Sequence, residues 1–144
     1  MDKVYILLGT NQGNKEVNLS KASSLLVSTL GSHIFSPLKK SSIHESEPWG
    51  YDSNESFLNQ AVEFETDLEP EQVLALCKSC EARMGRNIKD PVYDERGERV
   101  YEDRIIDIDI LLFGDRIIDT PKLVIPHPRL EEREFAKIPL REIL

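Results

Sequence analysis

The order in which two hydrophobic periods alternate along this chain limits its fold more than any other feature. Residues 4–8 form an apolar run that reads as a strand buried on both faces, ending in the turn-rich "GTNQGN". A helical period follows, with Leu19, Ala22, Leu25, Leu26 and Leu30 on one face, Asn14 or Asn18 available as the cap, and Gly31 as the stop. Residues 33–44 read as extended, with Pro37 in an edge-like position, and residues 45–56, "ESEPWGYDSNES", as a loop. Residues 57–65 alternate as a strand. "LEPEQV" then opens a second helix, with Pro70 in its first turn, Val73, Leu76, Cys77, Cys80 and Met84 on one face, and Gly85 at its end. Residues 86–103 are long, charged and irregular, which inside a compact domain points to a functional lid or a disordered segment. A strand over 105–113 and a short edge strand over 116–118 follow. Strand, helix, strand, strand, helix, strand is the split βαβ, ferredoxin-like α+β arrangement. It predicts a mainly antiparallel sheet with both helices on one face and the other face free for a site.

The strand over 105–113 carries an apparent contradiction. "EDRIIDIDILLFG" is the most apolar run of the chain, yet Asp107 and Asp109 lie inside it. Side chains at i and i+2 share a strand face, so the two carboxylates stand about 6–7 Å apart, opposite Ile106, Ile108 and Ile110. Like charges at that spacing repel, and partial burial strengthens the repulsion. A hard divalent cation would resolve it. A solvated strand face gives the same alternation, so the pair alone does not decide between the two readings.

At 144 residues the chain suits one domain spanning 1–144 with a real core. A charged fraction of 31% against 40% hydrophobic residues places it among globular proteins. The net charge of −8 argues against a nucleic-acid or membrane-surface binder. No apolar run is long enough to span a bilayer, and "MDKVYILLG" is too short in its apolar part for a secretory signal, so a cytoplasmic location is expected. Cys77 and Cys80 fall mid-helix with no His or second Cys pair nearby, so they read as packed small apolar residues rather than a zinc or redox site.

Several stretches together resemble one enzyme family: "LLGTNQGN", "SFLNQAVEFET", "EARMGR", "DRIIDIDILLFG" and "LVIPHPRLEEREF". The most specific pattern is an ordered set filled by Arg104, Asp107, Asp109, Pro126, His127, Arg133 and Phe135. The chain resembles, almost end to end, the 6-hydroxymethyl-7,8-dihydropterin pyrophosphokinases of folate biosynthesis. The resemblance implies an ATP- and Mg²⁺-dependent transfer of pyrophosphate to the pterin hydroxymethyl group, with AMP released. It implies that Asp107 and Asp109 hold two Mg²⁺ ions, with Arg104 and Arg86 as further catalytic residues. It assigns ATP binding to Glu81, Arg104, Ile110, Lys122, His127 and Arg133. For the pterin it implies Phe57 and Phe135 as stacking faces, Asn59 as the amide reading the ring edge, Ser46, Glu47 and Trp49 as the closing loop, and Tyr101 where many members have Trp. The expected partners are these small molecules, with no nucleic acid, no membrane and a monomeric state.

Each residue has a plainer reading. Phe57 and Phe135 taken alone read as core packing, and each basic residue as solvated surface. "GTNQGNK" lacks the spacing of a P-loop, so phosphates would be held by metals and scattered cations. Arg96 and Arg99 are possible loop contacts, and Lys122 stands where relatives often carry Arg, giving a point contact rather than a fork. Two other functions compete: another Mg²⁺-dependent nucleotidyl or phosphoryl transferase on this scaffold, and a non-catalytic ligand-sensing module.

Overall fold

The computed structural model describes residues 1–47, 56–85 and 105–144. Their elements are β1 (Asp2–Thr10), α1 (Lys15–Leu30), β2 (Lys39–Lys40), β3 (His44–Ser46), β4 (Phe57–Thr66), α2 (Pro70–Arg83), β5 (Asp107–Phe113), β6 (Ile118–Asp119), β7 (Val124–Ile125) and α3 (Glu134–Ile143). The main sheet runs β2–β4–β1–β5, with β3 also paired to β4, and its pairings are antiparallel. Strands β1 and β4 form the centre, and α1 and α2 cross one face, as the split βαβ order requires. Val4, Ile6, Val62, Phe64, Ile108 and Phe113 of the sheet bury into that helix-covered core.

The helix ends follow local chemistry. Asn14 caps α1, its side chain accepting from the Val17 N–H at 3.2 Å. Asn18 does different work: its Nδ2 donates to the Gln12 carbonyl at 2.7 Å and to Thr10 Oγ1 at 3.1 Å, tying the first loop to the helix. Gly31 ends α1 with φ of 55°, a conformation that favours glycine. At α2, Glu69 and Gln72 form a capping box and Pro70 takes the first turn. Cys77 and Cys80 are free thiols buried on the packed face of α2. Burial pushes the Cys77 thiol well up and raises Cys80 as well, so neither is a reactive thiolate.

Several boundaries differ from the sequence reading. The stretch expected to be extended begins with a 3₁₀ turn (Gly31–His33), and only Lys39–Lys40 becomes regular strand. β3 straddles the expected boundary between the extended stretch and the loop, starting at His44 and taking in Glu45 and Ser46. The short edge strand expected over 116–118 forms at Ile118–Asp119 and pairs with β7 in a separate two-stranded sheet. The sheet face opposite α1 and α2 is not left free, because α3 packs there. Leu7, Leu111, Leu130, Ala136 and Leu140 form a second core beneath α3.

A break in β5 serves both cores. Its register against β1 shifts between Tyr5 and Ile6, a bulge that leaves Leu111 without an opposite residue. Ile106, Ile108 and Ile110 therefore face α1 and α2, together with Phe113. Leu111 and Leu112 both join the α3 side.

Candidate active site

Asp107 and Asp109 project from the β5 face opposite the Ile106, Ile108 and Ile110 core. Cross-strand register places them in two short rows. Asp107 pairs with Gly9 and Gly9 with Asn59; Asp109 pairs with Leu7 and Leu7 with Ala61. Two interstrand steps separate β5 from β4, about 10 Å. The face therefore has an acidic end on β5 and an amide-and-aromatic end on β4, with Gly9 and Leu7 of β1 between. Gly9 is the floor: a Cβ there would stand 3.3 Å from Asn59 Oδ1 and 3.7 Å from Phe57 Cδ1. Glycine keeps that crevice open.

At the β4 end, Asn59 is buried and oriented. Its Nδ2 donates to the His44 carbonyl at 3.2 Å and to Ser46 Oγ at 2.8 Å, both on β3. With both donors used, Asn59 presents Oδ1 as an acceptor toward the Gly9 floor. Phe57 lies two residues away on the same face, half-buried. Phe135 enters from α3, half-buried against the second core, with the Arg133 guanidinium 5.6 Å from its ring centroid. Ser46 is half-buried and Glu47 exposed.

The acidic end is a coupled charge cluster. Burial raises the Asp109 carboxyl well above the usual carboxylate range, and the charges of Asp107 and Glu81 raise it further; Arg133 and Lys78 oppose the shift. Among the described residues no group of three or more His, Cys, Asp or Glu side chains is arranged to cage a metal. Two carboxylates on one strand face nonetheless fit Mg²⁺, which is commonly held by one or two carboxylates together with substrate phosphates.

His127 reaches this cluster through the bulge. The Leu111 carbonyl accepts from the His127 N–H at 3.0 Å, and a cis Ile125–Pro126 bond leads into the residue. Its Nδ1 accepts from the Arg129 N–H at 3.3 Å. Burial lowers its pKa, as do the Arg133 and Arg129 charges, against an upward pull from Asp107. The neutral ring with its proton on Nε2 is thus a fixed donor.

The remaining expected residues divide. Glu81 is fully buried at the β5 edge, where Oε2 accepts from the Ile108 N–H at 3.0 Å and Oε1 lies 3.5 Å from Lys78 Nζ. Its visible work is to satisfy an edge-strand donor. The Ile110 side chain faces the helix-side core, so only its backbone is available to a nucleotide. Lys122 is exposed between β6 and β7. Trp49, Arg86, Tyr101 and Arg104, with the loop arginines Arg96 and Arg99, lie outside the described residues. The sequence reading did not single out Gly9 or Lys78. Gly9 reads as the opening of the turn-rich loop, whereas β1 runs through it to Thr10, and Lys78 reads as one more exposed helix cation.

Fold and sheet face together define a class: ferredoxin-like α+β sandwiches with a carboxylate pair on the face opposite the two crossover helices. Residues 5–144 match the 7,8-dihydro-6-hydroxymethylpterin-pyrophosphokinase (HPPK) family, and the chain belongs to it. A 2-amino-4-hydroxy-6-hydroxymethyldihydropteridine pyrophosphokinase of Bacillus subtilis is 40% identical over 139 residues, covering 96% of this chain and 76% of that protein. One from Porphyromonas gingivalis is 36% identical over 141 residues, covering 97% and 89%. A crystal structure of an HPPK-DHPS in complex with substrates superposes with a TM-score of 0.66 at 16% identity, over 99% of this chain and 40% of that one, and so supports the fold.

Proposed function

We propose that this chain transfers the pyrophosphoryl group of ATP to the hydroxymethyl oxygen of 6-hydroxymethyl-7,8-dihydropterin, with Mg²⁺ held at Asp107 and Asp109. The new bond joins the hydroxymethyl oxygen to the β-phosphorus. The bond between that phosphorus and the oxygen bridging to the α-phosphate breaks, AMP leaves, and the hydroxyl proton is released. The observation that carries this reading is the one sheet face with Asn59 and Phe57 on β4 at one end and Asp107 and Asp109 on β5 at the other. That spacing suits a flat heterocycle lying beside a polyphosphate.

Phosphoryl transfer asks a protein mainly for positioning and charge. Asn59 Oδ1 accepts from a donor on the heterocycle edge, while Phe57 and Phe135 offer ring faces from opposite elements. His127 Nε2–H donates to a phosphate oxygen without adding charge, and Arg133 supplies the nearby cation. Mg²⁺, when bound, would supply the positive charge that offsets the two carboxylates and lets the phosphates approach them. Arg104 and Arg86 as further phosphate contacts, and Ser46, Glu47, Trp49 and Tyr101 around the pterin, complete the proposal from the sequence pattern. We further propose that residues 1–144 act as one cytoplasmic, monomeric unit. Among the described residues no helix is long and apolar enough to cross a membrane.

The deciding experiment is product analysis with ATP and the reduced hydroxymethylpterin. AMP and the pterin diphosphate are expected, with turnover lost on chelation by EDTA and regained with Mg²⁺. ADP as co-product would assign an ordinary kinase, and binding without turnover a sensing module. For the pterin end, Asn59→Ala should weaken pterin binding about 5- to 150-fold and ATP binding little, because a buried polar partner left unpaired costs ~1–3 kcal/mol. Calorimetry with each ligand checks this; equal losses for both would make Asn59 a purely structural residue.

A further inference from the structure

The amide at the pterin end is held in place by something that is itself held from far away in sequence. Both Asn59 Nδ2 partners, the His44 carbonyl and Ser46 Oγ, belong to β3. β3 is three residues long, pairs with β4, and sits at the sheet margin. So short an edge strand has few ladder bonds with which to fix its own position. Ser41 anchors the start of this stretch: its N–H donates to the Ala61 carbonyl, and its Oγ accepts from the Ala61 N–H, both at 2.9 Å.

The second anchor comes from α3. Glu142 accepts from the Ser42 N–H at 3.0 Å and from Ser42 Oγ at 2.8 and 2.9 Å. The same carboxylate pairs with His44 Nε2. One carboxylate thus grips two residues of the segment that carries β3, about a hundred positions earlier in the chain. Lys39 Nζ adds a contact from β2 to the Ile143 carbonyl at 3.3 Å. The Glu142 carboxyl is held at about 2, first by the Ser42 backbone N–H, then by His44 and the Ser42 hydroxyl.

We propose that Glu142 is a positioning residue for the pterin end of the groove: from α3 it latches β3, and through His44 and Ser46 it fixes the orientation of the Asn59 amide. The inference rests on the reading of Asn59 as the amide that meets the pterin. Glu142 itself touches neither substrate nor reacting atoms in this scheme. Loosening the latch lets β3 shift, the Asn59 amide loses its two acceptors, and its Oδ1 no longer points reliably at the Gly9 floor. Specificity for the ring edge falls while the acidic end on β5 is untouched.

A double-mutant cycle tests it, with calorimetry for 6-hydroxymethyl-7,8-dihydropterin in the presence of a non-hydrolysable ATP analogue, and for the analogue alone. Glu142→Ala should weaken pterin binding about tenfold, the scale of a lost charged hydrogen bond, and leave analogue affinity and kcat at saturation unchanged. Glu142→Gln, which keeps an acceptor for Ser42, should recover most of the loss. Ser42→Ala should give a smaller loss with the same selectivity, and it serves if Glu142→Ala folds poorly. In the Asn59→Ala background, Glu142→Ala should add nothing. An undiminished loss in that background, or equal losses for both ligands, would overturn the latch and make Glu142 a stabiliser of the fold alone. If Asn59→Ala weakens pterin binding and Glu142→Ala does not, the latch fails and the pterin reading stands. If Asn59→Ala leaves pterin binding intact, the pterin reading fails and takes the latch with it.

Discussion

Replacing Asp107 or Asp109 by alanine is expected to remove turnover by about a thousandfold or more, a loss of several kcal/mol of charge stabilisation, while the protein stays folded. The stability of Asp109→Asn should move the other way. The folded protein holds the Asp109 proton more tightly than an unfolded chain does, because burial and then the Asp107 and Glu81 charges raise its pKa. Ionisation of this carboxyl therefore costs folding free energy, and the cost grows as pH rises above the unfolded value of about 4. Below that value both states are protonated and the cost is absent. Asp109→Asn should thus melt higher than the parent near neutral and alkaline pH, by ~2–4 °C for each kcal/mol relieved, with the difference closing toward about pH 4. Thermal melts across that range, without added Mg²⁺, check the sign. A uniform fall in melting temperature at every pH would mean that the carboxylate is a structural partner. Near-normal turnover of either alanine variant at saturating Mg²⁺ would remove the metal assignment.

The largest stability effect is expected at Phe113, at the end of β5. The ring is fully buried in the helix-side core, where it anchors the strand that carries both aspartates. Phe113→Ala removes a large apolar side chain and leaves a cavity, at a cost of about 3–5 kcal/mol. Urea unfolding should show a lower midpoint with an unchanged slope, since the surface exposed on unfolding hardly alters. Because the carboxylates face the other side of the sheet, turnover per folded molecule should persist at low temperature. A drop below about 1 kcal/mol would mean that the core repacks around the gap.

The periodic parts of the fold were legible for a simple reason: each long element carries its own repeat. α1 and α2 show helical spacing and explicit stop signals at Gly31 and Gly85, and β4 alternates over its length. α3 was hidden by Pro139, which removes an N–H and crowds the preceding turn. Packing of Ala136, Leu140 and Ile143 beneath the helix outweighs that local penalty. β3 was hidden because three residues carry no period, and because what holds it is Glu142, far along the chain. At the site, Asp107, Asp109 and Asn59 could be found because alternation gives the face of each. Their alignment through Gly9 depends on cross-strand register, which no single segment encodes. The raised pKa of Asp109 likewise depends on burial and on the long-range approach of Glu81, opposed by Arg133 and Lys78.

The extra residue at Leu111 works like a shift of reading frame within one strand. Upstream of it, positions 107 and 109 are acidic and face away from the helices while even numbers pack against α1 and α2; downstream, Leu112 turns toward α3 and Phe113 toward the helix-side core. A graft of the aspartate pair into another sheet would therefore have to carry the irregularity along. Moved as an uninterrupted strand, the same letters would turn Phe113 out of its core, and they would lose the carbonyl that holds His127 beside the aspartates.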